Sequence, residues 1–195
     1  MMVRTEALTE IARHRADALV VAVYSSAFEW LDISPHPLNF LAVGAMGQAS
    51  SSALGFAIGM PKKPIMVLDG DGSLLMNLGT LVTIANEAPD NLTHFVGENG
   101  CYEANGEHPT PGSGKVSFAG FARAAGYKTV MEFNDIETLR RDLPAFLASP
   151  GPRFASLRIQ PNSVKRELDY SLVHGDAARK RFSDGLAADM AQQAR

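Results

Sequence analysis

Two short segments of the chain carry residues that could bind a metal ion and a phosphate. The first, Gly-Asp-Gly at 70–72, follows an apolar run at 65–68, and Asn99 comes just under thirty residues later. The apolar run predicts a buried strand and Ser73 the start of a helix, whose N-terminal N–H groups favour an anion. Asp71 would repel a phosphate there unless a cation such as Mg2+, which accepts oxygens from both, lay between them. The segment therefore predicts a metal-bridged diphosphate.

A second predicted strand, at 92–96, would bring Asn99 towards Asp71. Parallel strands end at one edge of a sheet, and open α/β sheets bind their ligands at that edge. Asn99 can offer an amide oxygen there, and Cys101 a backbone carbonyl. Together with Asp71, two diphosphate oxygens and a water, these groups would complete an octahedral set of oxygen ligands for Mg2+.

Two other interpretations of the glycine loop compete with this one. A dinucleotide-binding fingerprint needs a third glycine where the chain has Leu75, and an acid placed to bind a ribose after the second strand, which instead ends in Gly97-Glu98-Asn99. The other interpretation is a plain turn with an aspartate on the surface.

From Gly70 to Asn99 the chain resembles the thiamine-diphosphate motif, which is Gly-Asp-Gly, a spacer of just under thirty residues, and Asn. Up to about Ile159 it resembles the diphosphate-binding (PP) domain of thiamine-diphosphate enzymes. Within that superfamily it is most similar to the β subunit of sulfopyruvate decarboxylase and the C-terminal half of phosphonopyruvate decarboxylase. The resemblance is carried by the segments 44–51, 68–79, 99–102 and 106–110.

The resemblance implies roles for particular residues. Asp71, Asn99 and Cys101 would be the metal ligands, and Ser73 would bind the diphosphate. Met46 would wedge the cofactor into its V conformation; without the glycines that flank it, a plain core methionine would be the favoured interpretation. The full set implied to bind the cofactor is Gly44, Met46, Gly70, Asp71, Gly72, Ser73, Asn99, Cys101 and Tyr102. Within it, Gly44 would offer its carbonyl to the aminopyrimidine.

The chain departs from the family pattern at three places near the site. Glu98 stands where Asn or Asp is usual, with a solvated surface acid as the alternative interpretation. Glu107 and His108 replace Gly-Gln, and Tyr24-Ser25-Ser26-Ala27 replaces a Thr-Gly-type turn near the substrate. His108 is a candidate catalytic residue, although a lone histidine in a loop of this composition is more often simply exposed.

Thiamine enzymes also need a glutamate from a second, pyrimidine-binding (PYR) domain. The PP motif begins by residue 44 and the sequence ends at 195, which leaves no room for another domain of about 170 residues. The resemblance therefore implies a hetero-oligomer in which a PYR-domain α subunit supplies this glutamate, and a 2-keto acid substrate that is decarboxylated. A thiamine-dependent carboligase subunit, similar to acetolactate synthase, and a non-catalytic scaffold chain are the alternatives.

Composition excludes several other classes of protein. A net charge of −3 and a pI of about 5.9 provide no basic surface for nucleic acid. The single cysteine excludes an internal disulfide. No apolar run approaches the about 18 residues needed to span a membrane, and charges interrupt the N-terminus as they do not in a signal peptide. The sequence predicts a cytoplasmic protein.

Strands alternate with helices along the chain, which predicts an α/β fold with a three-layer parallel sheet covered by helices on both faces. We expect a PP domain at 1–160 and a partly helical tail at 161–195. Predicted helices occupy 5–14, 25–31, 48–59, 74–88 with a break near Gly79, 118–125, a segment capped by Asn134, and 177–193. Predicted strands occupy 18–24, 65–68, 92–96, 127–132 and 154–159, and 97–115 is a long loop that we expect, with 48–59, to face partner chains.

Overall fold

The computed structural model describes residues 1–42, 46–161, 169 and 171–193. Their main sheet has six parallel strands in the order β2-β1-β3-β4-β8-β7, and β5 and β6 form a separate antiparallel pair. The strands are β1 (Leu19–Ala22), β2 (Asn39–Leu41), β3 (Ile65–Gly70), β4 (Leu92–Glu98), β5 (Cys101–Tyr102), β6 (His108–Pro109), β7 (Thr129–Phe133) and β8 (Arg153–Arg158).

Nine helices and one 3-10 turn at Glu103–Asn105 accompany these strands within the described residues. They are α1 (Arg4–Arg13), α2 (Tyr24–Ile33), α3 (Ala49–Gly59), α4 (Asp71–Leu75), α5 (Thr80–Glu87), α6 (Phe118–Ala125), α7 (Ile136–Ala148), α8 (Ser171–His174) and α9 (Asp176–Gln193).

Both faces of the sheet are buried. Along β1, Val20 and Ala22 belong to one hydrophobic core, whereas Leu19 and Val21 belong to a second core on the other face. The first core is closed by α1, α2 and α7, and the second by α3, α5 and α6. A strand buried on both sides must be apolar at every position, as β1 is. This arrangement confirms the predicted three-layer α/β fold.

Several element boundaries differ from those predicted. The short edge strand β2 was not predicted, and the loop 97–115 contains β5, the 3-10 turn and β6. The helix predicted at 74–88 is broken before Gly79, as expected, since α4 ends at Leu75 and α5 begins at Thr80.

The predicted N-cap Asn134 is wrong. Asp135 caps α7 instead, because its Oδ1 accepts the Thr138 N–H at 2.8 Å and its Oδ2 accepts the Thr138 hydroxyl at 2.9 Å.

The C-terminal helix α9 packs against the body of the protein. Phe182 forms edge-to-face contacts with Phe40 and Phe56, at centroid distances of 5.2 and 5.6 Å. Nearby, the buried Lys63 ammonium lies between the carboxylates of Asp17, at 3.0 Å, and Asp189, at 2.5 Å. Among the described residues, no helix is both long and apolar enough to cross a lipid bilayer.

Candidate functional site

The two chemistry-bearing segments meet at the carboxyl edge of the central strands. Strands β3 and β4 pair in parallel up to Gly70 and Gly97, so the chain leaves both strands side by side. From there β3 continues directly into α4, which starts at Asp71, and β4 continues to Asn99. The predicted proximity of these two segments therefore follows from the register of two adjacent strands.

The Asp71 carboxylate is buried at this edge, with 3% of the residue exposed. Its Oδ1 accepts the N–H of Gly72 at 2.7 Å, and its Oδ2 accepts the N–H of Gly100 at 2.8 Å. Burial raises the pKa of Asp71 to about 6, against the opposing effect of these hydrogen bonds. A carboxylate held away from water in this way is stabilised by a cation.

The Asn99 side chain has a defined orientation beside Asp71. Its Oδ1 accepts the Cys101 N–H at 3.0 Å, and its Nδ2 donates to Oε2 of Glu103 at 3.1 Å. Asp71 and Asn99 thus hold consecutive N–H groups of the same turn, those of Gly100 and Cys101. The turn ties the two predicted metal ligands together.

An open cleft enclosing about 510 Å³ of empty space lies in front of these residues. Every residue of the predicted cofactor set lines it except Gly44, which lies outside the described residues: Met46, Gly70, Asp71, Gly72, Ser73, Asn99, Cys101 and Tyr102. Tyr24, Ser25, Ser26 and Arg4 also line the cleft.

Met46 lies in a turn that is hydrogen-bonded to the segment at and after Gly70-Asp71-Gly72, here called the metal loop. The Gly47 N–H donates to Ser73 Oγ at 3.0 Å, and Asn77 Nδ2 donates to the Gly47 carbonyl at 2.9 Å. Gly47 adopts φ +82°, a conformation that favours glycine. We assigned no role to Asn77 from the sequence, and its side chain turns out to anchor this turn.

The helix α4 is too short to attract an anion as strongly as the sequence predicted. The helix has five residues, whereas the prediction was a helix that begins near Ser73 and runs to 88 with a break. A macrodipole depends on many aligned peptides. The predicted attraction of an anion by the N-terminus of this helix is therefore weak.

The donor groups in the cleft are those that suit Mg2+. Asp71 and Asn99 provide a carboxylate and an amide oxygen, and Cys101 provides a backbone carbonyl, all hard oxygen ligands. Within the described part of the chain, no group of three or more His, Cys, Asp or Glu side chains could hold a metal ion.

The residues at which the chain departs from the family pattern differ in their burial and in whether they line the cleft. Glu98 is buried and not solvated, because it pairs with Arg158 at 3.2 Å and accepts the Ser156 hydroxyl. Burial raises the pKa of Glu98. His108 is exposed on β6, where it pairs with Tyr102, and it does not line the cleft; Glu107, beside it, adopts φ +63°.

A buried ion network at the cleft wall was not predicted from the sequence. Arg4 of α1 donates to Glu29 of α2, with Nη2 2.7 Å from Oε1, and to both oxygens of Glu103. Thr5 donates its hydroxyl to the second oxygen of Glu29 at 2.8 Å. Arg4, Glu29 and Glu103 are far apart in sequence, and no spacing rule links them.

Comparison with known proteins places these observations in context. Residues 21–156 match the family model "Thiamine pyrophosphate enzyme, C-terminal TPP binding domain". The chain is 38% identical over 158 residues to phosphonopyruvate decarboxylase of Streptomyces viridochromogenes, covering 80% of this chain and 38% of that protein. It is 34% identical over 165 residues to sulfopyruvate decarboxylase subunit beta of Methanothermobacter thermautotrophicus, covering 84% of this chain and 85% of that subunit.

The fold comparison agrees. The structure of 2-oxoglutarate:ferredoxin oxidoreductase from Magnetococcus marinus superimposes with a TM-score of 0.67 at 12% identity, over 84% of this chain and 63% of that one.

The chain spans little more than a third of the Streptomyces enzyme but most of the Methanothermobacter subunit.

Proposed function

The chain belongs to the thiamine pyrophosphate enzymes, matching their C-terminal TPP-binding domain, and we propose from this that it is the cofactor-binding subunit of a heteromeric 2-keto acid decarboxylase. It would bind thiamine diphosphate through Mg2+ and act with a separate PYR-domain chain. The proposal draws support from relatives named phosphonopyruvate decarboxylase and sulfopyruvate decarboxylase subunit beta.

The observation that carries the proposal is the buried Asp71 carboxylate beside Asn99 in an open cleft. In this proposal Asp71, Asn99 and the carbonyl of Cys101 would hold Mg2+, which would hold the diphosphate. Ser73 would bind the diphosphate, and Met46 would support the ring system. When bound, thiamine diphosphate supplies the carbanion and the electron sink that allow a 2-keto acid to lose CO2.

The carboxylates that line the cleft already have hydrogen-bond or ion-pair partners, which supports the proposal that another chain donates the activating glutamate. Among the described lining residues, Asp69 accepts the Gly70 N–H at 2.9 Å and contacts His94 at 3.3 Å. Glu103 is paired with Arg4, and Asp71 is hydrogen-bonded to the loop. Each of these three carboxylates is therefore engaged by neighbouring groups of this chain. The proposed PYR chain would provide the carboxylate that activates the aminopyrimidine.

Titration calorimetry with thiamine diphosphate and Mg2+ tests the proposal, using this chain alone and with the PYR-domain protein that it assembles with. We expect Mg2+-dependent binding that Asp71→Ala abolishes, whereas Asp184→Ala, at an exposed position of α9, binds as the wild type does. Normal Mg2+-dependent binding by Asp71→Ala would contradict the metal assignment. Release of CO2 and free aldehyde from a 2-keto acid by the assembled chains tests the reaction, and ketol formation would favour a carboligase.

A further inference from the structure

We propose that Arg4 is a positioning residue for the metal site, acting through Glu103 to hold the amide of Asn99 with its oxygen available to the cation. This inference rests on the proposed function, because it assumes that Asn99 is a metal ligand. It assigns a role to the N-terminal helix, which lies outside the loop motif.

The first link is the hold of Arg4 on Glu103. Arg4 is 5% exposed, and its guanidinium bridges Glu29, which is 3% exposed, and both oxygens of Glu103. Arginine suits this position, because its planar fork can engage two carboxylates at once, whereas lysine offers a single point charge. Thr5 donates its hydroxyl to the other oxygen of Glu29, which fixes the carboxylate that binds the guanidinium.

The second link runs from Glu103 to Asn99. An ionised carboxylate can only accept hydrogen bonds, so it must face the NH2 group of an amide and not its oxygen. Glu103 Oε2 accepts from Asn99 Nδ2 at 3.1 Å, and the Asn99 oxygen therefore lies on the other side of the amide, where it accepts the Cys101 N–H. A carbonyl-type oxygen with one hydrogen bond keeps a lone pair for a metal.

The third link explains why the pair is needed. Glu103 lines the same cleft as Asp71 and Asn99, so a free carboxylate there could itself approach a divalent cation. Arg4 donates to both of its oxygens, and the single positive charge of the guanidinium is shared between Glu103 and Glu29. The network thus gives Glu103 one function, that of orienting Asn99, and keeps it from becoming a ligand.

The test measures the Mg2+ concentration that half-saturates thiamine diphosphate binding, together with the melting temperature. For Glu103→Gln and Arg4→Met we expect that concentration to rise roughly tenfold to a hundredfold, the usual range for loss of a group that orients a metal ligand. Asp71→Ala is run beside them. If it retains Mg2+-dependent binding, the proposed function fails, and if it loses binding while Glu103→Gln binds Mg2+ normally, only the positioning role fails.

A matched arginine separates positioning from general stability. Arg15 is equally buried, at 5% exposed, and bonds the carbonyls of Ser34 and Ala18 near the opposite edge of the sheet. Arg15→Met should lower the melting temperature and leave the Mg2+ requirement unchanged. An equal rise in the Mg2+ requirement for Arg15→Met and Arg4→Met would contradict the proposal.

An Asn99→Asp background gives a readout that a purely structural role would not change. A carboxylate has two equivalent oxygens and no orientation to fix, and it is repelled by Glu103. In this background Glu103→Gln should no longer weaken Mg2+ binding and should improve it. The same weakening in both backgrounds would show that Glu103 does not act through the amide of Asn99.

Discussion

The ring of Tyr102 lies directly against the backbone of Gly72. A Cβ at Gly72 would come within 2.6 Å of Tyr102 Cδ1, closer than side chains approach in folded proteins. Gly70, two residues earlier, differs, because nothing lies within 4 Å of the corresponding position. At Gly72 a side chain would collide with Tyr102, whereas at Gly70 a side chain would meet only the open space of the cleft.

Gly72→Ala should destabilise the protein by about 1–3 kcal/mol, the usual range for an atom inserted into a packed site. The Tyr102 ring would have to move, so Tyr102→Ala in the same chain should recover part of the loss. Gly55→Ala is the control, since its helical position has nothing within 4 Å and should gain up to about 1 kcal/mol. Urea denaturation measures all three, and equal stability of Gly72→Ala and wild type would contradict the packing argument.

Gly70→Ala should leave folding intact and weaken cofactor binding. The backbone at Gly70 is extended, with φ −118° and ψ 155°, which alanine adopts readily, and the new methyl group would project into open space at the lining of the cleft. We expect an unchanged melting temperature and at least about a tenfold loss of affinity for thiamine diphosphate, equal to about 1.4 kcal/mol. Full affinity measured by calorimetry would mean that the diphosphate does not pass Gly70.

Mg2+-dependent cofactor binding should weaken as the pH falls below about 6. The pKa of Asp71, raised by burial to about 6, means that this carboxyl is protonated below that pH and ionised above it, and only the ionised form binds a cation. Affinity should be constant above about pH 7 and fall by about tenfold per pH unit below 6. Calorimetry between pH 5 and 8 measures this effect. The reference is Asp71→Asn, whose residual binding should follow only the titration of the cofactor itself.

Phe182→Ala should detach α9 from the body of the protein without affecting the cleft. Phe182 packs edge to face on Phe40 and Phe56, and it is half-buried, so we expect a loss of about 2 kcal/mol, less than for a fully buried phenylalanine. Hydrogen exchange should increase across 176–193. Arg179→Ala, at an exposed position of the same helix, should leave exchange unchanged, and unchanged exchange in Phe182→Ala would contradict the anchoring role.

The central strands and the metal loop were predictable because they follow local rules. An apolar run before Gly70 and another before Asn99 marked two buried strands, and the parallel arrangement placed their ends together. The edge strand β2 was missed, since it has three residues and only Asn39 among them is buried. The cap of α7 was misassigned by one residue because Asn134 and Asp135 are both good capping residues, and contacts with Thr138 decide between them.

The network around Arg4 shows where prediction from one sequence ends. Glu29 and Glu103 lie 25 and 99 positions after Arg4. Their pairing with Arg4 therefore depends on the tertiary fold and follows no local sequence pattern. The same is true of Asn77, whose amide contacts a turn 30 residues away. Gly70 and Asp71 belong to a motif, whereas the groups that support the site are recognisable only once the sheet has been assembled.

The strand order has a consequence for how the protein is made. Among the strands that the structure describes, β8 comes last along the chain, yet it lies inside the sheet between β4 and β7, and β7 pairs with β8 at the edge. While the ribosome is still translating residues before 153, the β4 edge has no neighbour on that side, and an open strand edge is prone to pair with other chains. The sheet can therefore close only after β8 has been added, and until then the β4 edge stays open to pairing with other chains.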